Sequence, residues 1–308
     1  MTTVARRILS LAVAAALTGS PVLAVAQQKT QLPEEKKGTD PAPDTQRAGD
    51  FLKRGRYEDA ISQAKLALGR DERYVPAMVV MAKAYFFLKK YELATAIIDI
   101  AKAVDPNNAE CFNLLGFIAL TRDDRISATA AFKKATELKA DYGAAWNNLA
   151  AQYLYSKNYD GAVEAAEKAA QLSPGFAKAQ LNLGSAYRGK QRYEESEKAY
   201  KKALDLDPQY ADAYFNLGIL YLDAKEMPGV DLISKLNTSI NYLNRYKQVA
   251  GTRLTKDDPA DTYLAEARTG IDREQKKQER LKKQQERNKA KEAPAAPAPA
   301  ASGKVGDK

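Results

Sequence analysis

The chain has 308 residues, a formal net charge of +9, one cysteine and no histidine. Without histidine it lacks the commonest general base, metal ligand and pH switch, and the lone Cys111 cannot form a disulfide within the chain. The charge is uneven: from Asp272 to Lys308 eleven Lys and Arg face six Asp and Glu, so the basicity sits mainly at the C-terminal end.

Residues 1–26 read as a secretory signal. Arg6 and Arg7 precede a short apolar core, Ile8 to Leu17, and Ala24-Val25-Ala26 supplies small residues before a cut near Ala26/Gln27. The apolar run is too short for a stable membrane span. The expected product is periplasmic or secreted. Residues 27–44 are polar and proline-bearing, which predicts a disordered linker.

A repeat of 34 residues follows. Trp146, Leu149, Ala150, Tyr153, Tyr159, Ala162, Ala169 and Pro174 recur as Gln180, Leu183, Gly184, Tyr187, Tyr193, Ser196, Ala203 and Pro208. Extending the period places repeat starts near Pro41, Val75, Ala109, Gly143, Ala177 and Ala211. Small residues recur at Ala48, Ala82, Gly116, Ala150, Gly184 and Gly218, and an aromatic three positions on at Phe51, Tyr85, Tyr153, Tyr187 and Tyr221. Two helices approach closely only where side chains are small, and the ring fills the gap to the next pair. Asp105-Pro106 and Asp207-Pro208 end one repeat and start the next.

Three departures stand out. The first repeat carries Asp44 and Arg47 where large apolar residues are usual, which predicts a terminal cap with a short first helix. The third has Ala119 in the aromatic slot, Arg125 in the tyrosine slot and Ala140 for proline, which predicts looser packing. In the sixth, the small residue of the second helix falls at Ser239, an insertion near 224–234 that contains Met227-Pro228-Gly229.

These positions, from about Thr45 to Tyr246, resemble the tetratricopeptide repeat (TPR) family; Trp146-Asn147-Asn148-Leu149-Ala150 and Phe215-Asn216-Leu217-Gly218 match its first-helix motif. The resemblance implies an all-α, right-handed superhelical solenoid of about six helix hairpins over residues 45–247. A C-terminal helix over 257–290 is expected to start at Asp257-Asp258-Pro259, cap the array through Tyr263, Leu264, Ala267 and Ile271, and continue as a charged extension. Residues 291–308 are expected to be a disordered Ala/Pro tail.

Catalytic motifs are absent: no phosphate loop, paired cysteines or nucleophile elbow appears. No cofactor or metal is expected, and Cys111 reads as a packing residue. The resemblance puts a partner-binding groove on the first helices. Its candidates are Asn113, Phe117 and Leu120, then Asn147, Ala151, Leu154 and Tyr155, then Lys178, Leu181, Ser185 and Arg188, and finally Phe215, Ile219 and Leu222. A protein or peptide ligand with apolar anchors suits that set. The carboxylate clamp of some relatives is not matched, since only Asn148 and Lys178 fit it.

Three functions compete. The first is a scaffold of a cell-envelope complex. Leu220 to Ala224, Met227 to Asp231, Leu236-Asn237-Thr238 and Tyr242 to Tyr246 resemble TPR proteins of myxobacterial gliding motility. The second is a chaperone-like assembly factor holding exported polypeptides in the groove. The third is a basic surface, residues 272–291, resting on an anionic membrane or an acidic protein. Nucleic acid is not an expected partner, because no aromatics interleave with the basic residues.

Overall fold

The computed structural model describes residues 40–224 and 229–292. The expected signal, the linker up to residue 39, the Met227-Pro228 turn and the Ala/Pro tail beyond 292 lie outside the described residues. The described residues form α1 (Ala42–Lys53), α2 (Tyr57–Arg70), α3 (Val75–Phe87), α4 (Tyr91–Val104), α5 (Ala109–Thr121), α6 (Arg125–Leu138), α7 (Gly143–Tyr155), α8 (Tyr159–Leu172), α9 (Ala177–Gly189), α10 (Tyr193–Leu206), α11 (Ala211–Asp223), α12 (Leu232–Ala250), a 3-10 turn (Gly251–Arg253) and α13 (Pro259–Glu292). The fold is all-α, with consecutive helices packed in pairs. It divides into two compact units at Lys190/Gln191.

In the first unit each helix packs on the next, and the pairs α1/α2, α3/α4, α5/α6 and α7/α8 are hairpins. Their contacts are made by the small residues. Ala48, Ala82 and Ala150 on the first helices and Ala60, Ala94, Ala128 and Ala162 on the second are wholly buried. Gly116 goes further: a Cβ there would lie 2.5 Å from the Phe132 ring, so that ring occupies the space the missing side chain leaves.

Each hairpin turn is closed by the backbone. The amides of Arg56, Lys90, Asp124 and Asn158 donate to the carbonyls of Phe51, Tyr85, Ala119 and Tyr153 at 2.8–3.0 Å. The residue before each donor has a left-handed φ: Gly55, Lys89, Asp123 and Lys157. This is the bonding of a Schellman motif. Three of the four residues are not glycine, which costs on the order of 1 kcal/mol each. Between repeats, Asp71 and Asp105 turn the chain by accepting from the amides of Arg73 and Asn107 at 2.9 and 3.0 Å.

The first helix is not short. α1 has 12 residues against 13 in α3, and it starts at Ala42, inside the segment expected to be linker. Asp40 accepts from the Ala42 amide at 2.9 Å and helps start it. Asp44 is buried, yet it is bound by the Arg47 guanidinium and, at 2.6 Å, by that of Arg70 on α2. An ion triad therefore stands where other repeats place an apolar side chain.

The second unit comprises α10 to α13. Ser239 on α12 is buried and donates to the Gly218 carbonyl at 2.7 Å. A Cβ on Gly218 would fall 2.6 Å from Leu243, four residues beyond Ser239, as Phe132 lies four beyond Ala128. The hairpin contact of α11 and α12 thus repeats the α5/α6 contact with longer connecting chain. Lys235 is buried and its ammonium caps α11 by donating to the Ala224 carbonyl. Burial holds this amine below its ordinary pKa, opposed by the charge of Asp223.

α13 packs on both α11 and α12. Ala260 and Leu264 join Ile219 and Leu243 in one core, with Phe215, Tyr246 and Tyr263 against it. A Cβ on Gly270 would lie 2.8 Å from Leu236, which shows how closely α13 approaches α12 there. Tyr246 donates to Asp258 at 2.9 Å; burial, then this bond, pushes its phenol up to about 12. From Asp272 to Lys289 the helix is almost entirely exposed.

Candidate functional site

In the first unit, first helices touch first helices: α1 meets α3, α3 meets α5, and α7 meets α9. No comparable contact joins the second helices of successive repeats among the described residues. The first helices therefore form the closer-packed inner layer, and the surface they present is the candidate site.

Asparagines stitch this layer together. Asn148 donates to Asn113 Oδ1 at 2.9 Å, and Asn182 donates to Asn147 Oδ1 at 2.8 Å. Asn113, Asn147 and Asn182 are buried. The same bond therefore recurs one repeat along, each time between a residue and the one 35 positions later. Tyr142 also bonds Asn113, and burial followed by the charge of Glu110 pushes its phenol up to about 12.

The expected groove residues divide accordingly. Asn113, Asn147 and Leu181 lie in the seam between helices, since a polar group there is satisfied by its neighbour and not by solvent. Phe117 is held edge-on to Phe132 at 5.3 Å and tilted to Phe86 at 6.2 Å. Leu120 is partly buried against the same cluster. Ala151, Leu154, Ser185 and Arg188 are partly exposed, and Lys178 is exposed. In the second unit Phe215 and Ile219 are covered, with Tyr246 and Tyr263 rings 5.1 and 5.9 Å from Phe215. Leu222 remains partly exposed.

Tyr155 lies at the edge of the inner layer, 62% exposed, with the Arg125 guanidinium 4.0 Å from its ring centre. The neighbouring repeats explain this. Tyr57 stacks on Phe87 at 5.2 Å, and the Tyr159 ring fills the space beside Gly189. The tyrosine-slot side chain thus lies over the last residue of the next first helix. At Arg125 and Tyr155 a cation–π contact replaces that packing.

The outer surface carries two grooves. One, of about 450 Å³, is lined by Phe112, Leu115, Ala119, Arg122, Ala131 and Lys134, among others. The other, about 460 Å³, is its equivalent one repeat on, with Trp146, Leu149, Tyr153 and Ala165. Only the second has a ring in the aromatic slot; the first has Ala119 there, although the two volumes are alike. Ala119→Tyr is expected to stabilise the fold by about 1 kcal/mol, because the ring has apolar walls to cover. Urea denaturation checks this; a lower midpoint would show that the slot is already closed.

No chemistry gathers at any of these places. Cys111 is buried, and burial, aided by Asp105 and Glu110, pushes its thiol up to about 11, far from a reactive thiolate. Among the described residues no group of three or more His, Cys, Asp or Glu is placed to hold a metal ion, and no helix is long and apolar enough to cross a membrane. Sequence reading missed Asn182 and the Arg125–Tyr155 pair. Their signal was the asparagine recurring at a 34-residue interval from Asn148, and the joint departure of two slots from the repeat pattern.

Comparison with known proteins agrees with this architecture. Tetratricopeptide repeat family profiles match residues 51–116 and 143–176, and a TPR repeat profile matches 184–224. No curated protein sequence matches the chain. Among solved structures, PilF of Pseudomonas aeruginosa is similar with a TM-score of 0.60 and 18% identity, covering 75% of this chain and 97% of its own. PilW, a type IV pilus biogenesis factor, gives 0.56 and 18%, covering 73% and 96%. The Cut9–Hcn1 assembly gives 0.61 and 16%, covering 74% of this chain and 42% of that one. At these identities the likeness concerns the fold. The 34-residue period, the hairpins zipped by small residues and the matching profiles identify the chain as a tetratricopeptide repeat protein, a protein-interaction module and not an enzyme.

Proposed function

We propose that this protein is an exported scaffold of the cell envelope that holds segments of partner proteins on the inner layer of its first unit. The observation that carries the reading is the mixed surface left after the seam is sealed: Ala151 and Leu154 offer partly exposed apolar contact on α7, and Lys178 an exposed cation at the N-terminal end of α9. An extended or helical peptide with an apolar anchor and an acidic group fits that pattern. Export is supported by the leader sequence, with Arg6-Arg7, its apolar core and Ala24-Val25-Ala26. A role in assembling a surface structure or a gliding-motility machine is supported by the resemblance of the α11–α12 stretch, from Leu220 to Tyr246, and accords with a fold like that of the pilus biogenesis factor PilW.

The test is a crosslinking pull-down from native envelopes with wild type and with Leu154→Ala plus Lys178→Ala. Both positions are at least partly exposed, so the variant is expected to fold. Two contacts of about 1 kcal/mol each imply a loss of recovered partner of roughly 30-fold. Unchanged recovery would move the binding surface elsewhere.

A further inference from the structure

The charged part of α13 is not evenly charged around its circumference. Successive residues turn by about 100°, so positions three, four and seven apart share a face. From Arg273 onward, Arg273, Lys276, Lys277, Arg280, Lys283 and Arg287 fall within an arc of roughly 120° and run along about 21 Å of helix. No acidic residue falls inside that arc between Arg273 and Arg287. Asp272, Glu279 and Glu286 lie on one flank and Glu274 on the other; Glu274 and Glu279 pair with the edge lysines Lys277 and Lys283 at 3.5 and 2.6 Å. The stripe also lies on the far side of the helix from Leu264, Ala267 and Ile271, the side that packs toward the body of the second unit. All six cations are exposed.

We infer that this stripe is a docking surface for an anionic phospholipid bilayer, on which α13 lies flat. The stripe is basic and straight, which suits a plane of negative headgroups. It carries no large apolar residue, and Leu281 sits on the flank, so the helix adsorbs and does not insert. A helical protein partner would need an apolar seam at heptad spacing, which this segment lacks. Each cation held near an anionic leaflet is worth about a five-fold gain in binding, attenuated by salt. This inference does not depend on the inner-layer reading, because it concerns a different unit and a different kind of contact.

The test compares two variants with the same net charge. Arg280→Gln plus Arg287→Gln removes two cations from the stripe; Lys282→Gln plus Lys289→Gln removes two from the opposite side. The full chain of each is floated with phosphatidylglycerol–phosphatidylcholine vesicles at low and high salt, with pure phosphatidylcholine as control and circular dichroism to monitor folding. The stripe variant is expected to bind roughly 25-fold more weakly than wild type, and the opposite-side variant within a few-fold of it. Equal losses in both would reduce the effect to net charge and overturn the inference. So would wild-type binding that is indifferent to phosphatidylglycerol. Binding of soluble poly-L-glutamate with no vesicle binding would assign the stripe to an acidic protein instead.

Discussion

Phe132→Ala is expected to destabilise the first unit by about 3–5 kcal/mol, the largest single effect in the molecule. Phe132 is wholly buried, fills the space left by Gly116 and meets Phe117 edge-on. Removing it opens a cavity between α5 and α6, and the aromatic slot beside it holds only Ala119. The converse change, Gly116→Ala, drives a Cβ to 2.5 Å from the ring and is expected to cost about 1–3 kcal/mol. The two costs share one space. The double variant is therefore expected to be more stable than the sum of the single changes implies, by about 1 kcal/mol or more. Urea denaturation of the four proteins completes the cycle. Strict additivity would mean that Gly116 is small for some reason other than Phe132.

Asp44→Ala is expected to cost about 2–3 kcal/mol, confined to the N-terminal hairpin. A buried ion pair that loses one partner usually costs more. Here the stranded guanidiniums are partly hydrated, with Arg47 60% and Arg70 31% exposed, which lowers the penalty. Repeat arrays unfold in pieces, so the loss is read best as faster hydrogen exchange in α1 and α2 than in α7 and α8. The pH dependence has a defined sign. Burial raises the Asp44 pKa, but the hydrogen bonds and charges of Arg47 and Arg70 outweigh it and hold the carboxyl below its ordinary value. A carboxyl depressed in the folded state contributes its full stability above the unfolded value and loses it as pH falls through the lower folded one. The gap between wild type and Asp44→Asn is therefore expected to be constant above about pH 5 and to narrow below about pH 4. A gap that widened with acid would contradict the triad.

Much of this fold was legible because the period is rigid. Helix starts at Val75, Ala109, Gly143, Ala177 and Ala211 fall where counting in steps of 34 puts them. Small residues announce the hairpin contacts because nothing else fits there. α1 was less legible, since a composition rule assigns Pro41 and Pro43 to a linker, whereas proline at the first turn also starts a helix. The turns were opaque for a related reason. Lys89, Asp123 and Lys157 hold left-handed backbone that a reader expects from glycine, and only the chain around them reveals it. Groove assignments suffered most. Asn113 and Asn147 lie at positions that the helix period turns toward the inner layer, but their partners 35 residues on draw them into the seam. Phe215 and Ile219 are covered because α13, distant in sequence, comes back over them.

The proposed role needs the inner layer of first helices to be the surface that meets partner protein. Site-specific photocrosslinking with benzoylphenylalanine tests it most directly, comparing Leu154 on α7 with Ile126 on α6, which is 85% exposed. In native envelopes a discrete adduct is expected from position 154 and none from 126. An adduct from 126 with none from 154 would contradict it.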